Sequence, residues 1–390
     1  MVFALPCLMS TPRLLKTLVA FKIRNPLFAN MTRVDLAAIR SIWVRTPNWL
    51  GDFVMATATF ARIRRAFPAA HITAGMRPYL RPLAAGSNWF DSIVDTPRGG
   101  GLGAFWQQVK AMRQARHDLA IVLPNSLATG LVPFVAGVPL RLGYRQGRPF
   151  LMNLGKTAAV RRRWFQRREG PRRWPTPMPT YYHELLDVLG VPAGGAHPEL
   201  AIADSDVAWV DAHLRSLGIA AGTPLLLLVV GANFGASKLW MPERFAAVAR
   251  SLQERRGMRA LVLVGPAEVE LGERIAAAGH AIALSQPVLP LDKLKALVAR
   301  GTLMVTGDTG PRHLAVAFDR PVVCLIGPND PNYTNYCLEH TIVLRKDLPC
   351  SPCQRKVCPL GHHRCMRDIT VDEVVAAAEQ LLDRAPPLSQ

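Results

Sequence analysis

The sequence lacks long apolar runs, and nowhere in its 390 residues do about 18 apolar residues follow one another without interruption. Its first segment is interrupted, before any small-residue cleavage site, by one proline and four basic residues: Pro6, Arg13, Lys16, Lys22 and Arg24. A membrane-spanning helix and a cleaved secretion signal are both disfavoured, so we expect a cytoplasmic protein. Residues 1–40 show no clear periodicity, and we expect them to be a disordered extension or a non-native start ahead of Met31.

Acidic residues are scarce, because 28 Asp and Glu face 47 Lys and Arg, for a formal net charge of +19. Residues 141–180, the basic segment, hold eleven Lys and Arg against one acid, Glu169, which is a local charge of +10. Such a block attracts the phosphates of nucleic acid, lipid head groups or a phosphorylated glycan, although a solvated loop has the same composition. Trp164, Phe165 and Trp174 lie among these arginines, which favours contact with a membrane interface or a sugar.

Paired cysteine knuckles are also missing. The seven cysteines include one cluster near the C-terminus, formed by Cys350, Cys353, Cys358 and Cys365. This spacing is one Cys-x-x-Cys pair plus two single cysteines, which falls short of the paired spacing of a zinc knuckle. Without a secretion signal, a disulfide framework is disfavoured. Reduced or redox-active thiols and a structural zinc on these four cysteines both remain open.

The chain is long enough, at 390 residues and 49% hydrophobic composition, to form two cores. Apolar runs predict strands at residues 42–45, 71–74, 92–95, 119–123, 224–230, 259–264, 303–306 and 321–326. Helical periodicity predicts helices at residues 53–67, 102–116, 181–189, 242–256, 268–278, 291–300 and 311–318. This alternation of strand and helix predicts parallel, doubly wound sheets.

The alternation pauses at residues 192–204, where Gly-Gly and Pro predict a hinge between two domains. We assign residues 41–200, which include the basic segment, to an N-terminal Rossmann-like domain and residues 201–345 to a C-terminal one. Residues 346–390 are assigned to a Cys-rich tail and a C-terminal helix. The predicted fold class is therefore α/β, with two Rossmann-like domains facing a cleft and ligands at the carboxyl ends of the strands.

The first strand ends in the loop 46–52, which places Asp52 at the opening of a helix. An N-cap is the commonest role of an aspartate at such a position. The loop faces the predicted cleft, however, and Gly51 would let a substrate approach the backbone closely. A carboxylate there can act as the base that removes a proton from an acceptor hydroxyl.

Residues 231–240, the Lys238 loop, join a buried apolar strand to a helix that opens at Pro242. The loop has two glycines, a hydroxyl and a lysine ahead of a helix N-terminus, which suits a phosphate. The Gly-Lys-Ser/Thr of the NTPase phosphate loop is missing, which disfavours a kinase or an NTPase. An ordinary surface lysine is the alternative for Lys238.

Two further loops at strand ends carry candidate ligand-binding residues. Glu268 follows Gly265 and Pro266, where an acid can hydrogen-bond a ribose. In the loop 307–313, Thr309 and Gly310 stand at a helix start that can hold a phosphate. The alternatives are that Asp308 caps this helix and that His313 is a core residue.

Five motifs in this order resemble bacterial glycosyltransferase family 9, the ADP-heptose:lipopolysaccharide heptosyltransferases. They lie at residues 47–52, 123–126, 231–242, 308–313 and 321–328. The resemblance runs from about Ser41 to Pro328 and more loosely beyond. It implies a GT-B architecture and an inverting transfer without a catalytic metal, from an ADP-heptose donor bound mainly by the second domain. The long Arg-rich stretch before Tyr181 and the Cys cluster depart from many members.

The resemblance also implies roles for individual residues. Asp52 would be the general base, Lys238 would pair with the diphosphate and Glu268 would face the ribose. The other donor-binding candidates are Gly231, Asn233, Trp240, Asp308, Thr309, Gly310 and His313. The acceptor-binding candidates are Asn48, Trp49, Gly51, Asn125, Arg161 and Arg163.

The acceptor implied by the resemblance is the phosphorylated and carboxylated core of lipopolysaccharide, which gives the basic segment a partner. The protein would then work at the cytoplasmic face of the inner membrane as a peripheral enzyme. One alternative keeps the fold and uses another nucleotide sugar in surface-glycan synthesis. A nucleic-acid-binding protein is the remote alternative, and no nucleic acid is expected as a partner because the basic residues concentrate in one loop.

Overall fold

The computed structural model describes residues 35–96, 99, 101–158 and 174–384. The first sheet has five parallel strands in the order β3-β2-β1-β4-β5. They are β1 (Ser41–Arg45), β2 (His71–Met76), β3 (Ser92–Asp95), β4 (Leu119–Val122) and β5 (Leu140–Gly143). The helices of this domain are α1 (Leu50–Ala66), α2 (Arg81–Ala84), α3 (Gly101–Ala115), α4 (Leu127–Ala136) and α5 (Met178–Asp187). Single 3-10 turns lie at Leu36–Ala38 and Pro78–Leu80.

The second sheet has six parallel strands in the order β11-β10-β9-β6-β7-β8. They are β6 (Leu225–Val229), β7 (Arg259–Leu263), β8 (Ile282–Leu284), β9 (Leu303–Gly307), β10 (Val322–Leu325) and β11 (Thr341–Leu344). The helices are α6 (Asp204–Ser216), α7 (Pro242–Arg256), α8 (Val269–Gly279), α9 (Leu291–Arg300), α10 (Gly310–Ala317), α11 (Arg364–Arg367) and α12 (Val371–Arg384). Further 3-10 turns lie at Ala236–Lys238 and Pro331–Tyr333.

The predicted strands and helices are confirmed to within a few residues, because their apolar patterns match their burial. All five residues of β6 are buried, as expected for a parallel strand covered on both faces. The helix α4 was not predicted, since Gly130 and Pro133 in its interior break the helical pattern. The helices α2, α6 and α11 and the edge strands β5, β8 and β11 were also not predicted.

The C-terminal tail is part of the second domain's core. One face of α12 buries five small or apolar residues: Val374, Val375, Ala377, Ala378 and Leu381. This face packs against α7 and β10, and Met366 and Ile369 join the same core. Each large apolar side chain buried there contributes roughly 1.5–3 kcal/mol, so the tail stabilises the domain rather than extending from it.

The two domains are joined by residues 188–203, which form neither helix nor strand and coincide with the predicted hinge. They meet where α1 packs against α10 and α2 packs against α9. Lys295 of α9 is fully buried at this contact, and its Nζ donates to the carbonyl oxygen of Pro82 over 3.0 Å. In the described part of the chain, no helix combines the length and apolarity that a bilayer crossing requires.

Candidate active site

The predicted loops occupy the points at which the strand order of each sheet reverses. In the first sheet the reversal lies between β1 and β4, and in the second between β6 and β9. Loops that leave such neighbouring strands in opposite directions open a crevice at their carboxyl ends, which is where open α/β sheets bind ligands. The loops 46–49 and 123–126 border the first crevice, and the loops 230–241 and 308–309 border the second.

Two helix starts from different domains meet at the cleft. A Cβ built on Gly51 of α1 would lie 2.7 Å from Cδ2 of His313, and one built on Gly310 of α10 would lie 2.6 Å from Cδ2 of Leu50. Only glycine permits this approach of α1 to α10. Neither helix has a side-chain cap at its N-cap residue, Trp49 or Thr309.

Asp52 is the third residue of α1 and not its N-cap, so the capping alternative is wrong. Burial, reinforced by the negative charge of Asp308, raises the pKa of Asp52 to about 6, while Lys238 acts in the opposite direction. Asp52 therefore senses charges of the second domain although it belongs to the first. A carboxylate with a pKa near the working pH is suited to accept a proton.

A buried ion cluster forms the second domain's side of the cleft. The Nζ of Lys238 donates to the carbonyl oxygen of Asp308 over 2.6 Å and lies 3.3 Å from its Oδ2. Arg312 lies 2.9 Å from Oδ1 of the same carboxylate, and Asn329 donates to its Oδ2 over 3.2 Å. Burial alone would raise the pKa of Asp308, but Lys238 and Arg312 bring it well below its usual range. Two cations around one carboxylate leave one positive charge to meet an anion.

His313 lies at the contact between the domains and is held by Tyr336. Its Nδ1 is 2.7 Å from the Tyr336 hydroxyl, and the two rings stack at 5.8 Å with planes 8° apart. Burial and the nearby Arg312 lower the pKa of His313 to about 3, so the ring is neutral. His313 is thus buried, as its alternative role predicted, yet it also touches Gly51 across the cleft. Tyr336 was missed, because it stands in an irregular loop without a motif.

The other donor candidates surround the same crevice. The Glu268 carboxylate lies over Gly231, and a Cβ added to Gly231 would be 1.8 Å from Oε1 of Glu268. Oε2 of Glu268 accepts from the backbone N–H of Gly265 over 2.9 Å. Asn233 is exposed at the rim. The Thr309 hydroxyl lies 3.2 Å from that of Thr306. The structure therefore brings together the loops that follow β6, β7 and β9.

The prediction that Trp240 binds the donor is wrong. Its side chain is buried in the core of the second domain, at 5.0 Å from the ring of Phe245. Its Nε1 donates to the carbonyl oxygen of Ile369 over 3.1 Å. A buried indole needs such a partner, and the C-terminal tail supplies it. Trp240 anchors the end of the Lys238 loop instead of lining the cleft.

The first domain presents the acceptor candidates at its cleft edge. Asn48 accepts from Arg45 over 2.6 Å through its Oδ1, and its carbonyl oxygen accepts from Tyr79 over 2.7 Å. These bonds shape the loop that carries Trp49, whose side chain is exposed. Asn125 donates over 2.8 Å to the hydroxyl of Tyr181.

The basic segment is not uniformly available to an anion. Arg148 is buried, and it donates to the carbonyl oxygens of Tyr144 and Ser126 over 2.9 and 2.8 Å. Arg141 donates through Nε to the carbonyl oxygen of Leu151 over 2.8 Å. The interpretation of the whole segment as one anion-attracting block is wrong for these two residues, because backbone carbonyls hold their guanidinium groups. The candidates Arg161 and Arg163 lie outside the described residues.

The four clustered cysteines line one small cavity beside Ser237 of the Lys238 loop. His362 and His363 also line it, and Cys350 Sγ lies 3.9 Å from Nε2 of His362. Within residues 174–384, as in the rest of the described chain, no three His, Cys, Asp or Glu side chains are arranged to hold a metal ion. A structural zinc on these four cysteines stays a prediction. Metal analysis of protein purified without a histidine tag tests it: a stoichiometric metal would support the site, and none would remove it.

The sequence profile of glycosyltransferase family 9 (heptosyltransferase) matches residues 105–364, about two thirds of the chain. The chain belongs to this family. Lipopolysaccharide heptosyltransferase 2 of Escherichia coli strain K12 is 26% identical over 360 residues, covering 87% of this chain and 98% of that protein. Lipooligosaccharide heptosyltransferase 2 of Haemophilus ducreyi is 27% identical over 354 residues, covering 86% and 97%.

The fold is shared with a family member of known structure. This chain superposes on the structure of E. coli ADP-heptose lipopolysaccharide heptosyltransferase II with a TM-score of 0.70 and 24% sequence identity. The match covers 88% of this chain and 99% of the E. coli chain. The predicted GT-B architecture, two Rossmann-like domains facing a cleft, is therefore confirmed.

Proposed function

We propose that this protein is an inverting heptosyltransferase, most like heptosyltransferase II, that transfers heptose from ADP-heptose to the inner core of lipopolysaccharide. The names of its relatives in E. coli and Haemophilus support the donor and the acceptor class. One observation supports the chemistry. Asp52 of the first domain lies opposite the cluster of Lys238, Asp308 and Arg312 in the second domain.

The proposed transfer is a single displacement. The Asp52 carboxylate takes the proton of the acceptor hydroxyl, and the acceptor oxygen forms a bond to the anomeric carbon of the heptose. The bond from that carbon to the diphosphate breaks on the opposite face, so the configuration inverts and ADP leaves. Lys238 and the start of α10 receive the charge that develops on the diphosphate, which is the role of preorganised positive groups in such steps. The proposal requires no catalytic metal, since these groups supply the positive charge.

The donor site extends from the diphosphate to the nucleoside. Lys238, Thr309 and Gly310 stand where the diphosphate would lie, and Glu268 stands at the next strand end, where a carboxylate can accept from ribose hydroxyls. Competition by ADP, UDP and GDP tests this assignment. Preferential competition by ADP supports it, whereas preference for UDP or GDP would indicate transfer of another sugar in surface-glycan synthesis.

The acceptor proposal includes peripheral contact with the inner membrane, because a lipopolysaccharide core is anchored by its lipid. The basic residues 161–168 would then attract its phosphates and carboxylates. Neutralising three of Arg161, Arg162, Arg163, Arg167 and Arg168 should raise the KM for the acceptor and leave the donor affinity unchanged. An unchanged acceptor KM would refute this role.

The deciding experiment is the transfer itself. Purified protein is incubated with ADP-heptose and with lipid A carrying Kdo, with and without one prior heptose, and the product mass is followed. A gain of one heptose that Asp52→Ala abolishes would establish donor, acceptor class and base together. No gain, combined with ADP binding that Lys238→Ala removes, would retain the nucleotide site and reject the proposed sugar or acceptor.

A further inference from the structure

The helix α3 leaves half of its apolar stripe exposed. Five apolar residues follow helical spacing along it: Leu102, Phe105, Trp106, Val109 and Met112. Val109 and Met112 in the second half are buried, but Leu102 is 79% exposed and Trp106 is 54% exposed. A helix that only packs on its own domain buries its whole stripe, so the first half of α3 is suited to a second apolar environment.

The exposed stripe has an apolar neighbour on α4. The helices α3 and α4 pack against each other, and Leu127 at the start of α4 is 54% exposed. Both helices run antiparallel to the parallel strands, so their N-terminal ends lie at the carboxyl ends of β3 and β4. Leu102, Trp106 and Leu127 therefore lie toward the cleft end of the first domain, and Leu127 follows the acceptor candidate Asn125 by two residues.

The charge on α3 is of one sign. This helix holds Lys110 and Arg113 and no acid, and α4 holds no charged residue. Asp118 precedes β4 at the opposite end of the domain, where it accepts from the backbone N–H groups of Arg40 and Ser41. Lys110 and Arg113 are exposed on α3 itself. Positive charge thus follows the apolar first half of α3 along the helix.

We propose that Leu102, Trp106 and Leu127 form the surface by which this protein contacts an anionic lipid bilayer. A helix with Trp, Phe and Leu on one face and Lys and Arg on another buries its apolar face at the head-group boundary of a membrane. Each basic residue near an anionic surface adds to the attraction. Because the surface lies at the cleft end, docking turns the acceptor side of the cleft toward the membrane, where a lipid-anchored sugar stands.

The test is co-sedimentation of the full chain with vesicles, without donor or acceptor. Vesicles of phosphatidylcholine with phosphatidylglycerol are compared with vesicles of phosphatidylcholine alone. We expect binding to the anionic vesicles that the double variant Leu102→Ser, Trp106→Ser weakens at least about tenfold and that Lys110→Glu also weakens. The matched control is Val207→Ser, Val357→Ser, which changes two exposed apolar residues of the second domain and should bind as the unchanged protein does.

Two results would overturn the proposal. One is vesicle binding that the α3 variants leave unchanged. The other is a dimer, measured by analytical ultracentrifugation without vesicles, that the same variants dissociate while vesicle binding persists; it would assign the surface to a second copy of the chain. Circular dichroism verifies that the variants fold.

A second assay rests on the proposed function. The α3 variants should raise the KM for an acceptor embedded in vesicles by at least about fivefold and leave the KM for a delipidated, water-soluble core oligosaccharide unchanged. An equal rise with both acceptors would mean that α3 binds the sugar and not the bilayer. If no heptose is transferred at all, the vesicle-binding assay still tests the proposed membrane contact, because it uses neither donor nor acceptor.

Discussion

At the scale of single residues, the environment of Asp52 explains why an aspartate can serve as a base here. An exposed aspartate has a pKa of about 3.9 and is a weak base. Burial and the charge of Asp308 raise the pKa of Asp52 to about 6, while Lys238 limits the rise. The carboxylate is therefore still ionised at neutral pH but binds a proton more strongly than an exposed one would.

The activity should depend on pH through this group. Below pH 6 Asp52 is protonated and cannot accept the acceptor's proton, so kcat/KM should rise with pH through about 6 and then level off. Asp52→Asn should lower kcat by about 10²-fold to 10⁴-fold and leave ADP affinity within about twofold. A full pH profile of kcat/KM checks the first expectation and single-turnover transfer the second. An Asn variant with the rate of the unchanged protein would mean that another group is the base.

Tyr336 should matter although it belongs to no motif. Its hydroxyl is the partner of Nδ1 of the neutral His313, so it determines which ring nitrogen carries the proton. Tyr336→Phe leaves a buried nitrogen without that partner, at a cost of about 1–3 kcal/mol. We expect kcat to fall about tenfold with little change in ADP affinity, measured by transfer kinetics and calorimetry. A Tyr336→Phe variant with the kcat of the unchanged protein would exclude a specific role for Tyr336.

At the scale of elements, hydrogen bonds join the C-terminal tail to the Lys238 loop. The backbone N–H of Ser237 donates to the carbonyl oxygen of Lys356 over 3.0 Å. The Ser237 hydroxyl donates to the carbonyl oxygen of Arg355. The Nε2 of His363 donates to the carbonyl oxygen of Ser237 over 2.8 Å. Residue 238 follows directly, so the Cys-rich part of the tail positions the lysine proposed to meet the diphosphate.

Removing one of these bonds should weaken donor binding. His363→Ala loses the bond to Ser237, which is worth about 0.5–1.5 kcal/mol, and we expect the Kd for ADP to rise about twofold to tenfold. His362→Ala is the matched control, because the hydrogen bonds of its ring go to Arg364 and Cys350 and, among the described residues, none goes to the Lys238 loop. Isothermal titration with ADP gives both values. Equal affinities in the two variants would show that the tail does not position the loop.

At the scale of the whole molecule, the reaction depends on two domains that carry different halves of the site. The proposed base, Asp52, follows β1, whereas Lys238 follows β6, and Asp308 and His313 follow β9. The contact of α1 with α10 sets the distance between these halves. In the described chain this contact is close enough that residues 51 and 310 accept no side chain without rearrangement.

Widening this contact should impair transfer and not donor binding. Gly51→Ala places a methyl group against the His313 ring, so the domains must separate or the ring must move. Because misplacement by about 1 Å can cost about 10²-fold in rate, we expect kcat to fall by at least about tenfold while ADP affinity is kept. Gly103→Ala is the control, since a Cβ at that helical glycine meets nothing within 4 Å. Comparable rates for both variants would contradict the proposed role of the contact.

The fold class and the loops of the site could be predicted because their signals are local. Continuous apolar runs such as residues 225–229 indicate buried parallel strands, and parallel strands bring their carboxyl ends to one edge. The polar loops after β1, β6 and β9 were therefore expected at clefts. Asp52, Lys238 and Asp308 became candidates by position, and the resemblance to glycosyltransferase family 9 implied their roles.

Other features were decided by contacts between residues far apart in the chain, which leave no local pattern. Trp240 belongs to the core because Ile369, 129 positions away, accepts its N–H. Arg148 is buried and donates to the carbonyl oxygens of Tyr144 and Ser126, although the charge of the basic segment predicted an anion site. The sequence by itself determined the elements and the chemistry of their loops. Only the tertiary structure decided which side chains reach the cleft, since burial and pKa depend on neighbours that the fold brings together.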